Sequence, residues 1–499
     1  MRFAGRAALL CVLALALLGA ARPVPLARFL DRMRVVGGEP YRYHLTGSSH
    51  ESRNGEDQLL QTDLDGLRFY TRGCRGALCT GTYFDGTREF LVNINGTALP
   101  RSPQTESYLR AIRTINSRQF LSPEFISDGG SIVDLGTATI GRTLLRTLLI
   151  RAVSATPMYV YVDPSTAQIY AARDVNGDIT YAYRNYQRVG TLQLPFSVYE
   201  NGVLSLQYDK RTISNEPFAT PTGLQPKLDP AAAPMSIDGE TTTPIGDCRL
   251  GGITVRCLLD TGNSGLSISL DLAEQLRLQS VGEFEVRGLG RYATEVVRAG
   301  PLQAGNATFP TANYIVLGDI HRYGYDIVLG ADAFAKANVA IDYGARTVSF
   351  SASNPGIDES MIPLSFVNFV PVVPVKLGLL STMLAVDTGD ESNINLSYDY
   401  YSAHSDLFKA TESRNVSGVG GSSIELIGEI PQVEVGNFNV DAQRIGATRE
   451  LKSTAQGHLG AGFLSHFRVI LDYARSQMGL SARTGDRAVH LITATAGGE

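Results

Sequence analysis

The sequence predicts a mainly β protein in which two similar β lobes follow an N-terminal α+β domain. Three observations lead to this prediction: an internal repeat within residues 236–485, alternating strand-like segments before residue 210, and a proline-rich segment between the two regions. A chain of 499 residues is too long for one compact domain. Apolar residues make up 43% of it and charged residues 19%, which is typical of globular proteins.

Residues 1–21 have the composition of an export signal peptide. Arg2 and Arg6 form a short basic start, residues 7–18 are almost entirely apolar, and residues 19–21 are small, as a signal peptidase requires. The apolar run is too short to span a bilayer comfortably. We therefore expect a mature protein without an integral membrane segment, located outside the cytoplasm and either periplasmic or secreted.

Residues 22–210 are predicted to form an α+β domain. Alternating segments with turn signals between them predict a mostly antiparallel sheet, and residues 105–117 have helical apolar spacing. The run from Tyr161 to Ile169, followed by Tyr183-Arg-Asn-Tyr and Leu194-Pro-Phe, resembles the half-barrel domain of lipoprotein-carrier proteins. This N-terminal region contains no recognisable catalytic constellation.

Residues 211–235 are predicted to be a semi-rigid linker, because prolines recur from Pro217 to Pro234 without hydrophobic periodicity. We expect the domain before the linker to fold independently of the region after it. Residues 236–355 and 356–485 are predicted to be the first and second lobes, and residues 486–499 a C-terminal tail.

The internal repeat indicates a duplication. Three pairs of segments match in the same order: Leu259-Asp-Thr-Gly with Val386-Asp-Thr-Gly, Gly288-Leu-Gly with Gly418-Val-Gly, and residues 329–343 with residues 459–473. The offset is 127 residues from Asp260 to Asp387 and 130 residues for the other two pairs. Features that recur in order at a nearly constant offset identify an internal repeat.

The two Asp-Thr-Gly segments, each after an apolar strand and before a Leu-Gly pair, resemble those of pepsin-like and retropepsin-like aspartic peptidases. The resemblance covers about half of the chain and is closest to the bacterial retropepsin-like forms. It implies the bilobal acid-protease fold, with Asp260 and Asp387 as the catalytic dyad of an aspartic endopeptidase. Hydrolysis of a polypeptide by water needs a base and an acid. Two carboxylates about 3 Å apart share one proton and supply both.

The same resemblance assigns supporting roles around the dyad. Thr261 and Thr388 are expected to cross-link the two loops by hydrogen bonds. Gly262 and Gly389 are expected to allow a tight turn that directs backbone amides at the carboxylates. Ser264 supplies a hydroxyl group shortly after the first tripeptide.

Substrate contacts are expected from Tyr292 and Glu391. Tyr292 follows Gly288-Leu-Gly, where the family has a covering hairpin, and the alternative is an exposed hairpin tyrosine. A residue inserted in the second repeat leaves a second alternative open, in which the loop that carries Glu391 is displaced.

The second repeat departs from the first in three ways. Asp390 and Glu391 follow its tripeptide. The negative charges of these carboxylates should raise the apparent pKa values of the dyad. One residue is inserted before Ile394, since the apolar pair after the tripeptide begins at +7 rather than at +6. His458 stands where the first repeat has Val328, and we interpret it as a tolerated variant.

Two further aspartates recur in both repeats. Asp342 and Asp472 each precede a tyrosine at a predicted junction between a strand and a turn. Capping of the turn by the carboxylate explains their position. We therefore assign them no catalytic role.

Four cysteines remain after removal of the signal peptide. The short spacings favour the disulfides Cys74–Cys79 and Cys248–Cys257 in an oxidising compartment. Four free buried thiols are the alternative.

The composition also limits the partners and the chemistry. The net charge of −5 and pI of 5.9 give no general attraction for nucleic acid, and we expect no cofactor, no metal and a monomeric protein. The chain lacks His-Glu-x-x-His and Gly-x-Ser-x-Gly, the usual signatures of zinc and serine hydrolases. A non-catalytic peptide- or lipid-binding protein on the same scaffold is the alternative function, because a fold does not guarantee its chemistry.

Overall fold

The structure, a computed structural model, describes residues 24–38, 42–51, 56–65, 68–101, 106–177, 180–214, 218–287, 290–318, 320–353, 361–408, 410–418, 421–449 and 455–492. The predicted export signal, residues 288–289 and 419–420 of the Gly-x-Gly segments, and the end of the predicted tail lie outside these residues. Strands dominate the described elements, so the prediction of a mainly β protein is confirmed.

The N-terminal region combines short helices with antiparallel strands. Its helices are α1 (Leu26–Gly37), α2 (Glu106–Asn116) and α3 (Glu124–Ser127), with a 3-10 helix at Gln119–Leu121. Its strands are β1 (Arg42–Glu51), β2 (Glu56–Asp65), β3 (Arg68–Arg75), β4 (Leu78–Phe84), β5 (Glu89–Val92), β6 (Ala98–Pro100), β7 (Ser131–Ile140), β8 (Thr143–Arg151), β9 (Met158–Val162), β10 (Ile169–Asp174), β11 (Thr180–Val189), β12 (Leu192–Glu200) and β13 (Val203–Ser214).

The first repeat and the segment before it are mostly strands. The strands are β14 (Lys227–Leu228), β15 (Met235–Ser236), β16 (Ile245–Leu250), β17 (Ile253–Leu259), β18 (Leu266–Ser269), β19 (Ser280–Arg287), β20 (Arg291–Ala299), β21 (Leu302–Ala304), β22 (Ala307–Phe309), β23 (Ala312–Leu317), β24 (Ile327–Leu329), β25 (Asn338–Asp342) and β26 (Thr347–Ser351). The helices are α4 (Leu270–Gln275), α5 (Ala331–Phe334) and a 3-10 turn at Ile320–Tyr323.

The second repeat has a closely similar set of elements. Its strands are β27 (Met361–Pro363), β28 (Ser365–Val367), β29 (Val370–Leu377), β30 (Leu380–Asp387), β31 (Ile394–Ser397), β32 (Ala410–Gly418), β33 (Gly421–Val435), β34 (Phe438–Thr448), β35 (Gly457–Gly460), β36 (Phe467–Asp472), β37 (Gln477–Ala482) and β38 (Val489–Leu491). Its helices are α6 (Tyr398–Ala403) and α7 (Ala461–Leu464).

The two repeats share one strand order. The first runs β16-β17-β24-β18-β23-β20-β19, and the second runs β29-β30-β35-β31-β34-β33-β32. The directions also agree, because β17 pairs in parallel with β24 as β30 does with β35. Even the helix starts correspond: Ser269 and Ser397 each accept a hydrogen bond from a backbone amide in the first turn of α4 and α6. The described strands therefore have the duplicated arrangement that the repeat predicts.

A six-stranded sheet joins the repeats. Its order is β15-β26-β25-β36-β37-β27, and its central pair, β25 and β36, comes from equivalent positions of the two repeats. Apolar side chains from both repeats form one buried cluster against it, including Phe334, Phe463 and Tyr473. The carboxyl ends of β17 and β30 therefore pack on the same hydrophobic core.

The division into compact units differs from the predicted domain limits. Among the described residues, the smaller unit holds 24–38 and 110–213, and the larger holds 42–49, those of 56–109 and those from 214 to 492. In the smaller unit, β7–β13 follow one another in the sheet and α1 buries Phe29 and Met33. In the larger unit, β2–β6 follow one another and pack with the two repeats. The segment before the linker is therefore shared between the units.

Both predicted disulfides are present. Cys74–Cys79 links directly opposed residues of β3 and β4, and Cys248–Cys257 links β16 to β17. Each bond closes a hairpin, as the short spacings predicted. The turn caps are also confirmed: Asp342 accepts a hydrogen bond from the Ala345 amide at 2.8 Å, and Asp472 from the Arg475 amide at 3.0 Å.

Candidate active site

The two Asp-Thr-Gly loops begin where β17 and β30 end. Asp260 directly follows β17, and its amide donates to the Leu329 carbonyl of the neighbouring β24 at 3.0 Å. Asp387 is the last residue of β30 and lies opposite Gly460 of β35. Because β17 and β30 occupy equivalent positions in the two sheets, the duplication brings one aspartate from each repeat to the same place.

The two threonines cross-link the loops in a reciprocal way. The Thr261 hydroxyl donates to the Val386 carbonyl at 2.6 Å and accepts from the Thr388 amide at 3.0 Å. The Thr388 hydroxyl donates to the Leu259 carbonyl at 2.8 Å and accepts from the Thr261 amide at 3.1 Å. Both side chains are fully buried, so these four bonds replace water for four backbone groups.

Removing either hydroxyl should therefore destabilise the protein. Thr261→Val and Thr388→Val keep the side-chain shape but leave a buried amide and a buried carbonyl without partners, which costs about 2–5 kcal/mol. Thr→Ser at the same positions keeps the hydroxyl and loses only a methyl group, about 1 kcal/mol. Urea unfolding followed by circular dichroism compares the four variants. Equal losses for Val and Ser would show that the hydrogen bonds contribute little.

The glycines are required by the close approach of the opposite carboxylate. A Cβ atom on Gly262 would lie 2.7 Å from both Asp387 oxygens, and one on Gly389 would lie 2.5–2.8 Å from the Asp260 carboxyl group. Their amides donate to the aspartate of their own loop, at 2.7 Å for Gly262 and 3.0 Å for Gly389. The expected amide contacts are thus present, and the lack of a side chain also lets the two carboxyl groups face each other.

The electrostatics of the pair match this close approach. Burial and the charge of Asp387 raise the pKa of Asp260 well above its ordinary value. Burial also raises the pKa of Asp387, although the charge of His458 opposes this shift. A hydrogen bond between the two carboxyl groups raises the pKa of Asp260 further and lowers that of Asp387. A pair in this state holds one proton over a wide pH range.

The inserted residue leaves the second loop in register. The Ala331 amide donates to the Asn263 carbonyl at 2.9 Å, and the equivalent Ala461 amide donates to the Asp390 carbonyl at 2.7 Å. Asn263 and Asp390 are both at +3 from their aspartates, so the loops match up to that point. The next matching bond joins Gly330 to Gly265 at +5 and Gly460 to Asn393 at +6. The extra residue therefore lies between Asp390 and Asn393, beyond the dyad.

The acidic residues of this loop have different surroundings. Asp390 is half-buried, accepts from the Ser392 amide at 2.9 Å and faces His458. Glu391 is exposed, and its predicted contact with substrate stays a prediction. The charge of Asp390 raises the pKa of Asp387, in the predicted direction, but His458 lies next to both carboxylates and offsets it.

His458 was interpreted from the sequence as a tolerated variant, and its contacts are more specific than that. Its Nδ1 atom lies 3.3 Å from an Asp387 oxygen and 3.6 Å from an Asp390 oxygen. The signal available in the sequence was the replacement of an apolar residue by histidine next to Leu459-Gly460. That signal becomes informative only when β35 is seen to pair with β30.

Equivalent hairpins occur in the two repeats. One consists of β19 and β20, and the other of β32 and β33. Tyr292 on β20 is half-buried and packs on the apolar cluster that contains Ile94, Leu258 and Ile315. It is therefore not simply an exposed hairpin tyrosine, and its contact with substrate stays a prediction.

Tyr325 is a site residue that the sequence reasoning missed. It lies just before β24 and packs on the same cluster as Tyr292. Burial, then the charges of Asp260, Glu391 and Asp387, raise the pKa of its hydroxyl group. This phenol therefore stays protonated at neutral pH.

A segment from before the linker supports the loop that begins at Asp260. Asn93 donates from one amide nitrogen to the Ser264 carbonyl at 3.0 Å and to the fully buried Asp332 carboxylate at 2.8 Å. Asn95 donates to the other Asp332 oxygen at 2.7 Å. Ser264 is thus held through its carbonyl group and not through the hydroxyl group that the sequence pattern indicated.

A cavity of about 340 Å³ lies beside the same loop. Strands β3–β5 form one wall, the loop that follows Asp260 and strand β19 form another, and a turn of the second repeat contributes the ring of Phe369. The lining residues include Leu91, Ile94, Ser264, Gly265, Phe284 and Phe369. Its surface is mostly apolar, which suits an uncharged side chain.

The described residues contain no group of three or more His, Cys, Asp or Glu side chains arranged to hold a metal ion. None of the helices in the described part of the chain has the length and apolar character needed to cross a membrane.

Comparison with known protein families gives a match that lies within the first repeat. Residues 246–333, which include Asp260 and β24, match a protein-family model described as aspartyl protease. This match supports an aspartyl protease domain in the chain and, in general terms, a protease that acts on peptide substrates. Comparison with curated proteins gives no significant match.

Proposed function

We propose that the protein is an aspartic endopeptidase of the bilobal, pepsin-like type, with Asp260 and Asp387 as its dyad. The observation that best supports this proposal is the reciprocal cross-link between Thr261 and Thr388, which holds two equivalent Asp-Thr-Gly loops face to face. The family match covers the first repeat, and the shared strand order extends the same arrangement to the second.

The proposed reaction uses water as the nucleophile. The ionised carboxylate takes a proton from the water while its oxygen attacks the carbonyl carbon, and the protonated carboxyl group gives its proton to the carbonyl oxygen. The resulting gem-diol is neutral. When the C–N bond breaks, the newly protonated carboxyl group gives a proton to the leaving nitrogen, and a diol proton returns to the other carboxylate. The dyad ends as it began, with one proton.

The proposed substrate is an extended stretch of polypeptide outside the cytoplasm. The hairpins β19–β20 and β32–β33 are suited to cover it from both repeats. The cavity beside Ser264 would take an uncharged side chain of that stretch. The predicted signal peptide supports the location, and fractionation of cells that express the intact chain would test it.

The rival proposal is a peptide- or lipid-binding protein without catalysis. Its support is the carrier-like pattern in the N-terminal region and the lengthened acidic loop after Asp387. The position of the extra residue, beyond Asp390, weakens the second argument, because the loops match up to that point. If the N-terminal region has a carrier-like role, we expect delivery of substrates rather than blocking of the cleft, since it lacks a lysine-rich, propeptide-like character.

The decisive experiment is a hydrolysis assay on the purified mature protein. We expect cleavage of an unstructured protein between acidic and neutral pH, with a bell-shaped rate profile and inhibition by a statine-type compound. Binding of a peptide without cleavage at any pH would favour the rival proposal. A metal chelator should leave the rate unchanged, which separates this activity from that of a contaminating metallopeptidase.

A further inference from the structure

A third carboxylate and an imidazole lie beside one member of the dyad. His458 Nδ1 is 3.3 Å from Asp387 Oδ2 and 3.6 Å from Asp390 Oδ2. The three side chains are only 16–21% exposed, so water screens their charges weakly. In the sheet His458 lies opposite Ala385, two residues before Asp387 on the same strand. Alternate residues share a face of a strand, which explains why the imidazole and Asp387 meet.

The other member of the dyad lacks this arrangement. In the first repeat, Val328 pairs with Leu258 as His458 pairs with Ala385, so Val328 is the residue equivalent to His458. Asn263 is equivalent to Asp390, because each accepts the first amide after its Leu-Gly pair. Both first-repeat residues are uncharged. The charge pair is therefore confined to the Asp387 side of an otherwise duplicated site.

We propose that His458, held by Asp390, keeps Asp387 as the ionised member of the dyad and leaves the shared proton on Asp260. This inference rests on the proposed function. In it Asp387 is the base that receives the proton of the water, and Asp260 is the acid that protonates the carbonyl oxygen. His458 and Asp390 act through Asp387 and are positioning residues.

The charges that face His458 support this assignment. Burial alone lowers the pKa of the imidazole, but Asp390, Asp387 and Asp260 together raise it above its ordinary value. Burial tends to raise the pKa of Asp390, yet the contact with His458 and the Ser392 amide lower it overall. Below neutral pH the site therefore contains an imidazolium between two carboxylates. The imidazolium is nearer to Asp387, which favours the negative charge on that residue.

The first test is the acidic limb of the pH profile of kcat/KM, which reports protonation of Asp387 in the free enzyme. His458→Val copies the first repeat and removes the positive charge, so the limb should move to higher pH by about one unit. Asp390→Asn also copies the first repeat and removes a negative charge, so the limb should move to lower pH. The acidic limb of the double variant should lie between those of His458→Val and the parent, because the charge of His458 acts on Asp387 more strongly than that of Asp390.

A matched control pair lies far along the chain. His490 and Asp441 form a similar contact at 2.8 Å, but both are exposed. His490→Val should leave both limbs in place. The proposal is overturned if His458→Val and Asp390→Asn shift the acidic limb in the same direction, or if neither shifts it in an active enzyme. A purely structural role would lower the rate without moving the limb.

The second test does not depend on activity. The ring signals of histidine-labelled protein can be followed by NMR, with His458 assigned from its loss in His458→Val. We expect the His458 imidazole to titrate above pH 6.5 in the parent. In Asp390→Asn and in Asp387→Asn it should titrate at a lower pH than in the parent. Titration unchanged by both substitutions contradicts the proposal, even if the enzyme is active. If the parent hydrolyses nothing, the proposed function fails, while this titration still decides whether the charge pair exists.

Discussion

Asp260→Asn and Asp387→Asn should each reduce kcat by about 10³-fold or more while leaving the fold intact. An amide cannot take a proton from water, and it cannot give one to a carbonyl oxygen. Either substitution therefore removes one half of the acid–base pair. The remaining aspartate cannot replace it, since one group must be ionised and the other protonated in the same turnover.

The structure also predicts that these variants fold. Asparagine is nearly the same size as aspartate, and it retains an oxygen that can accept from the Gly262 or Gly389 amide. It also removes one of two buried carboxyl groups that repel each other when both are ionised. We therefore expect an unfolding midpoint at neutral pH that equals or exceeds that of the parent.

Asp342→Asn is the matched control for this experiment. Asp342 recurs in both repeats, as the dyad aspartates do, but it caps a turn through a contact that asparagine can keep. Its activity should equal that of the parent. Full activity in Asp260→Asn or in Asp387→Asn would contradict the mechanism, whatever the result of the control.

The repeat made the similarity of the two β lobes predictable because three segments of each half match in sequence. The tripeptide, the Gly-x-Gly segment and the Leu-Gly segment recur in order, so a fold for one half implies a fold for the other. The hairpin disulfides were predictable for a similar reason, since spacings of five and nine residues suit neighbouring strands. In both cases the contact is local or is repeated.

Contacts that are neither local nor repeated were not predictable. The position of the inserted residue depends on which carbonyl Ala461 bonds to, and spacing alone does not reveal that. The environment of His458 depends on β35 lying next to β30, whose partner residue Ala385 is 73 positions earlier in the chain. A histidine in an apolar pattern therefore looked like a tolerated variant until the strand pairing placed it beside two carboxylates.

The role of residues 93–97 was hidden for the same reason. Asn93-Ile-Asn-Gly-Thr has the composition of an ordinary turn, and one of its backbone bonds is the turn bond from the Gly96 amide to the Asn93 carbonyl. Its side chains, however, contact Asp332, 239 residues later. The linker suggested two independently folding parts, whereas the larger compact unit includes strands from both sides of it.

Asn93→Ala should consequently destabilise the protein by about 3–5 kcal/mol and also lower its activity. The side chain donates to the Ser264 carbonyl and to Asp332, and its oxygen accepts from the Asn95 and Thr97 amides at 3.0 Å. Alanine would leave a fully buried carboxylate with one fewer donor, and a bond to a charged group is worth more than an ordinary one. The loop that carries Ser264 begins at Asp260, so its loss of support should reach the dyad.

Comparison with a truncated chain extends this prediction to the whole segment. A chain that begins at residue 218 keeps both repeats but lacks Asn93, Asn95 and the β3–β5 wall of the cavity. We expect it to unfold at a lower urea concentration than the parent and to lose most of its activity, even on a short peptide.

Asn415→Ala is the control for Asn93→Ala. Asn415 is exposed on β32, so its replacement should change neither the stability nor the activity. A truncated chain with the stability and peptide-cleavage rate of the parent would show that the repeats are complete without residues 56–101. The opposite result would mean that the segment before the linker is a structural part of the unit that contains both repeats, because Asn93 and Asn95 donate to the Asp332 carboxylate.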